Sequence, residues 1–230
     1  MNKQRIRLWD LPTRLFHWLL VLAVIAAVVS GQLGGNLIEV HGKIGLAIVG
    51  LIAFRLVWGF AGSTYARFAQ FFPTPARIKV YLKGEWRGLG HNPLGGLSVF
   101  SLIFLLTVQV TSGLFSNDDI AFVGPLFELI DKSFSDRLSG IHHLLSNVLI
   151  ALVVLHVGAV IFHGHFKKDN LVKPMLTGWK EGATGEPASG GGIIALIVAL
   201  VIAGLAVYGA SGAWLPEPPP PPAAVETPSW

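Results

Sequence analysis

The chain has 230 residues, 52% of them hydrophobic and only 13% charged, about half the roughly 25% charged residues of an ordinary soluble domain. It holds no cysteine, which excludes iron–sulfur clusters, thiolate metal sites, disulfides and haem attachment through Cys-x-x-Cys-His. The net charge of +4 says little as a total; its distribution along the chain says more.

A bilayer is crossed by about 20 apolar residues, and five such runs occur, at about 13–33, 38–60, 95–115, 138–163 and 192–209. The first is too long for a removable signal sequence and lacks a small-residue cleavage site. The pattern predicts an all-α integral membrane protein: a four-helix transmembrane bundle over residues 1–180, a flexible linker at 181–192, a fifth C-terminal transmembrane helix at 193–209, and a proline-rich tail at 210–230. Its partner is the lipid bilayer, not nucleic acid.

The N-terminus carries Lys3, Arg5, Arg7 and Arg14 against Asp10. The connection between spans two and three carries Arg67, Arg77, Lys79, Lys83 and Arg87 against Glu85. Lys167, Lys168, Lys173 and Lys180 follow span four, whereas Asp118, Asp119, Glu128, Asp131 and Asp136 crowd the loop before it. The positive-inside rule therefore places the N-terminus in the cytoplasm and the C-terminal tail outside.

Span one opens on "TRLFHWLL", with His17 near its cytoplasmic end and Arg14 one turn away on nearly the same face. "NLIE" at 36–39 has the form of a capping box, so span two starts near Leu37 with His41 a turn inside it. Arg55 lies 14 residues after His41 and faces the same way, near the cytoplasmic end. Lys43 points elsewhere and snorkels. "FPTPARIKVYLKGEW" reads as a short surface helix with Thr74 as cap and Pro75 as its first residue. His91 and His165 read as loop residues. Span three has no histidine, and its Thr107 and Gln109 knit helices together.

Span four is the informative one. Ser135 and Asp136 are cap signals that place His142 more than a turn inside the helix. His142 and His156 are 14 positions apart, hence within about 40° of one face and about 21 Å apart along the axis. One helix thus offers an imidazole to each leaflet. His143 points about 100° away from His142 and is a bystander. His163 is seven residues beyond His156; it either contacts a haem propionate or a quinone, or is an interfacial side chain.

A haem b needs two axial imidazoles from opposite sides, supplied by facing helices. Depth pairs His17 with His156 and His41 with His142, which predicts two haem b groups, one per leaflet. Arg55 and Arg14 then either meet a haem propionate or a bound quinone, or snorkel to the headgroups. Two other uses of these histidines stay open: structural bonds to carbonyls, and transport of a metal ion such as zinc or copper. Transport usually recruits carboxylates or softer ligands, and beyond Glu39 the first four spans contain none. The fifth span has no charged residue and reads as a lipid-facing anchor.

Three stretches, "WDLPTRLFHWLL", "EVHGKIG" and "IHHLLSNVLIALVVLHVGAVIFHGHFKKDNLVKPM", resemble the bacterial di-haem cytochrome b561 family, related to the cytochrome b subunits of nickel–iron hydrogenases. The resemblance covers about residues 5–180. It implies ligands from the first, second and fourth spans, matching His17, His41, His142 and His156. It also implies electron transfer across a bacterial inner membrane between the quinone pool and a periplasmic partner such as a c-type cytochrome, or superoxide. A haem-bearing anchor subunit of a hydrogenase or dehydrogenase is the related alternative. The fifth span and proline-rich tail depart from the shorter members.

Overall fold

A computed structural model describes residues 5–120, 122–182 and 185–216; most of the proline-rich tail lies outside them. Five helices are long and apolar enough to cross a membrane: α1 (Leu11–Leu33), α2 (Ile38–Ala61), α5 (Pro93–Leu114), α6 (Lys132–His165) and α8 (Ile193–Ala210). Between them lie the short helices α3 (Phe68–Phe71), α4 (Pro75–Leu82) and α7 (Val172–Thr177). Strand β1 (Arg5–Arg7) pairs antiparallel with β2 (Trp179–Glu181), tying the N-terminus to the segment after α7. That end of the bundle, with the loops carrying most of the lysines and arginines, is the basic end; the opposite end is the acidic end.

Helix starts follow elementary capping. Asp10 accepts the Thr13 N–H at 2.7 Å, Asn92 accepts that of Gly95 at 2.8 Å, and Thr74 caps α4 through the Arg77 N–H at 3.3 Å; each helix has proline in its first turn, where no N–H is lost. Two predicted caps differ. A 3-10 turn over Gly35–Leu37 precedes α2, which has no side-chain cap, so the "NLIE" capping box does not form. Helix α6 begins a turn before Ser135, because Asp131 takes the Phe134 N–H at 3.0 Å. Ser135 instead donates to the Phe115 carbonyl at 2.6 Å, fastening α6 to the end of α5.

Helices α1 and α2 form one antiparallel hairpin, α5 and α6 a second, and α2 packs on α5. Ile48 and Ile52 meet Leu105, Leu106 and Leu149 in the mid-membrane core; Phe16, Phe54 and Trp58 fill the basic half. The fifth span is not a free lipid-facing anchor. Helix α8 lies along α2, with Ala199 buried beside Phe54 and Trp58. The stretch read as a flexible linker is hydrogen-bonded into the basic end: Ala188 N–H donates to the Arg7 carbonyl at 2.8 Å, and Thr64 N–H to the Ser189 carbonyl at 2.8 Å.

Candidate functional site: two imidazole pairs between the hairpins

At the acidic end, His41 of α2 and His142 of α6 face one another with ring centres 5.9 Å apart and planes at 87°. His41 Nδ1 lies 2.8 Å from the Ala27 carbonyl of α1, and His142 Nδ1 lies 2.9 Å from the Gln109 carbonyl of α5. A carbonyl oxygen only accepts, so both Nδ1 atoms carry the proton and both Nε2 atoms keep a free lone pair. This is the outer-sphere arrangement of metal-ligating imidazoles. The Gln109 side-chain amide also donates to the His142 carbonyl at 3.1 Å, so Gln109 does knit helices, at His142.

A cavity of about 200 Å³ opens around the pair. Small residues shape its walls: Gly31, Gly42, Gly45 and Gly113 line it, and a Cβ on Gly45 would project into open space. Two rings bonded to one metal at about 2 Å have centres about 6 Å apart, which agrees with the separation seen here. The donor set suits a haem iron, which supplies its own four equatorial nitrogens. Among the described residues, no cluster of three or more His, Asp or Glu could hold a bare metal ion. His143 sits at the cavity rim, exposed, its ring centre 6.3 Å from that of His142.

Toward the basic end lie His17 of α1 and His156 of α6. His156 Nδ1 lies 3.3 Å from the Ser98 hydroxyl of α5. His17 Nδ1 is buried with no partner, and Trp18 stands edge-on to its ring at 5.1 Å. Buried polar atoms are normally hydrogen-bonded, so this nitrogen stands out. His41 and His142 thus face each other at the acidic end, while His17 and His156 lie toward the basic end of their helices.

Arg55 does not snorkel. It is 3% exposed, donates to the Ala66 carbonyl at 3.0 Å, and lies over the Phe68 ring at 4.7 Å. Arg14 donates to the Leu176 carbonyl of α7, while its Nε is buried without a partner. His163 is engaged by the chain: Nδ1 bonds the Ala159 carbonyl at 3.0 Å, and Nε2 lies 2.9 Å from the Tyr81 hydroxyl and 3.4 Å from the Asn92 amide. It clasps α6 to α4 and to the start of α5.

His91 is more than a loop residue. Its ring lies between Trp9, at 4.8 Å, and Phe71, at 4.4 Å, with Nδ1 buried and unpartnered. Burial, then the neighbouring Arg55, His156 and His17, pushes its pKa down to about 3, so it is a neutral imidazole beside the basic-end pair. The signal was present in "HNP". Asn92 as cap and Pro93 as first residue put His91 at the mouth of α5, level with His17 near the start of α1.

A membrane bundle with facing imidazoles of this geometry defines the class of b-type cytochromes, which hold haem without covalent attachment. A profile of the prokaryotic cytochrome b561 family matches residues 8–178, and the chain belongs to that family. It is a multi-pass bacterial membrane protein, and it carries haem b in electron transfer. Among curated relatives, a probable Ni/Fe-hydrogenase B-type cytochrome subunit of Azotobacter vinelandii is 24% identical over 213 residues, covering 76% of this chain and 88% of the relative. Its counterpart in Azotobacter chroococcum mcd 1 is 23% identical over 218 residues, with the same coverage. The Ni/Fe-hydrogenase 1 counterpart in Escherichia coli K12 is 20% identical over 217 residues, covering 77% of this chain and 92% of the relative. No solved structure gives a significant match.

Proposed function

We propose that the chain is a di-haem relay that passes electrons across the bacterial inner membrane, with its N-terminus cytoplasmic and its C-terminal tail periplasmic. The observation that carries this reading is the facing His41–His142 pair, each ring held through Nδ1, with His17 and His156 offering a second pair at the other depth. Haem, when bound, supplies a one-electron couple; the chain supplies the rest. His41 and His142 hold the outer haem, and His17 and His156 the inner one. The buried Arg55, and Arg14 with its unpartnered Nε, would meet inner-haem propionates or a quinone, whereas His163 is left to hold α4. Apolar packing around Ile52 and Leu105 keeps the space between the sites dry. Electrons exchange with membrane quinone on one side and with a periplasmic redox protein, a c-type cytochrome for instance, on the other.

The printed names of the relatives favour a second reading, in which the donor is a docked hydrogenase. Co-purification with a large redox subunit selects it over a free-standing relay. For either reading, pyridine haemochrome analysis of the purified chain should give about two non-covalent b haems, as two bis-imidazole sites require. His41→Ala and His142→Ala should each remove one haem, His17→Ala and His156→Ala the other, and His143→Ala neither. A haem content of zero ends the cytochrome reading, and loss of haem in His143→Ala but not His142→Ala breaks the ligand assignment.

A further inference from the structure

The hydrogen bonds behind the outer pair repeat on two helices with one internal spacing. On α1 the Ala27 carbonyl takes the His41 Nδ1–H at 2.8 Å, with Ser30 three residues on and Gly31 four residues on. On α5 the Gln109 carbonyl takes the His142 Nδ1–H at 2.9 Å, with Ser112 and Gly113 at the same offsets. Both serines lie at the edge of hydrogen-bonding distance from Nδ1, Ser30 Oγ at 3.5 Å and Ser112 Oγ at 3.3 Å. Both turn their hydroxyl protons back onto their own helix. Ser112 donates to the Gln109 carbonyl at 2.9 Å; Ser30 donates chiefly to Ala26 at 2.7 Å and less closely to Ala27 at 3.2 Å.

Both glycines are required by the ring that lies across them. A Cβ at Gly31 would stand 3.0 Å from His41 Nδ1 and Cε1, and one at Gly113 would stand 2.9 Å from His142 Cε1. Serine and small residues are frequent in membrane helices and mean little alone. Two steps of the same spacing, each meeting one imidazole of the same cavity, are a specific arrangement.

We propose that this carbonyl–serine–glycine step, present once on α1 and once on α5, orients the two outer imidazoles at right angles and sets the electronic state of the iron they share. The proposal rests on the reading of His41 and His142 as axial ligands. Each step controls one ring: the carbonyl takes Nδ1–H and leaves Nε2 for the metal, and the glycine lets the ring lie against the backbone. The two steps stand on different helices, and the ring planes cross at 87°. Crossed planes leave the two iron π orbitals nearly equal in energy, which gives a strongly anisotropic low-spin ferric resonance; parallel planes separate them and give a rhombic one. The serine acts through the carbonyl. An oxygen accepting from a second donor holds the imidazole N–H less tightly, so the ring is less basic and the reduced iron is favoured.

The test uses the purified, haem-loaded full chain, with EPR and spectropotentiometric titration. His41→Ala first identifies the outer centre by the signal that disappears. If none disappears, the ligand reading fails, not the step. The parent outer centre should show the strongly anisotropic resonance; a rhombic one overturns the proposal. Ser112→Ala should keep its haem and lower the outer midpoint potential. Ser30→Ala should lower it less, since that hydroxyl donates mainly elsewhere, and the inner potential should stay put in both. Gly31→Ala and Gly113→Ala should turn a ring and replace the anisotropic resonance with a rhombic one, or expel the outer haem alone. An unchanged resonance in either glycine variant at full haem content, or an unchanged or raised outer potential in Ser112→Ala, overturns the proposal. Should the glycine variants not fold, Ser112→Ala decides.

Discussion

An arginine inside a membrane bundle is costly unless an anion or a set of dipoles meets it. Arg55 is 3% exposed, yet the Ala66 carbonyl and the faces of Phe68 and Phe16 are its neutral contacts; Asp10 acts on it electrostatically. If a haem propionate completes this environment, Arg55→Leu should keep both haems and lower the inner midpoint potential. A positive charge favours the electron-rich reduced state, and a unit charge within about 10 Å at an effective dielectric of about 20 contributes on the order of tens of millivolts. Arg55→Lys should restore most of the shift. Slowed quinol-driven reduction with an unchanged potential assigns Arg55 to the quinone instead, and no change in either rejects both roles. The position of Arg55, 14 residues after His41, was legible in the sequence. Its direction was not, because snorkelling and burial share one spacing and only the packing of Phe16 and Phe68 separates them. The enclosure of His91 was hidden for a related reason: the rings around it, Trp9 and Phe71, come from segments remote in sequence.

At the scale of elements, α8 was the least legible. Its lack of any charged residue is equally compatible with lipid on all sides and with close packing, and the decisive features sit on α2. Gly50 leaves so little room that a Cβ there would come within 2.8 Å of Val207 Cγ2 on α8. Gly50→Val should therefore overpack the α2–α8 contact, at a cost of about 1–3 kcal/mol, and lower the melting temperature in detergent by several degrees. Gly50→Val combined with Val207→Ala should recover part of that loss. A Gly50→Val melting curve identical to the parent's would show that α8 does not rest on α2. The capping signals of α4 read correctly, because Thr74 and Pro75 leave one reading. Those of α6 misled, because Asp131 and Ser135 are both cap types a turn apart. Only the Phe115 carbonyl, which occupies the Ser135 hydroxyl, decides between them.

At the scale of the whole molecule, the basic end is the consolidated one. Strand β1, the loop around Thr64 and Tyr65 and the segment 186–190 are joined by hydrogen bonds: Thr64 to Ser189, Tyr65 Oη to the Glu186 carbonyl at 2.6 Å, and Ala188 to Arg7. The acidic end opens instead on the cavity around His41 and His142. Which end faces the cytoplasm decides to which side of the membrane the His41–His142 cavity opens, and the absence of cysteine makes this directly measurable. Lys83→Cys lies exposed at the basic end, and Ile120→Cys, at a position 90% exposed, lies at the acidic end. With the lysines and arginines cytoplasmic, as the positive-inside rule requires, a membrane-impermeant maleimide added to intact spheroplasts should label Ile120→Cys and spare Lys83→Cys until the cells are lysed. The opposite pattern would invert the molecule, turning the His17–His156 site outward, so that the consolidated basic end, and not the open cavity, would face the periplasmic partner.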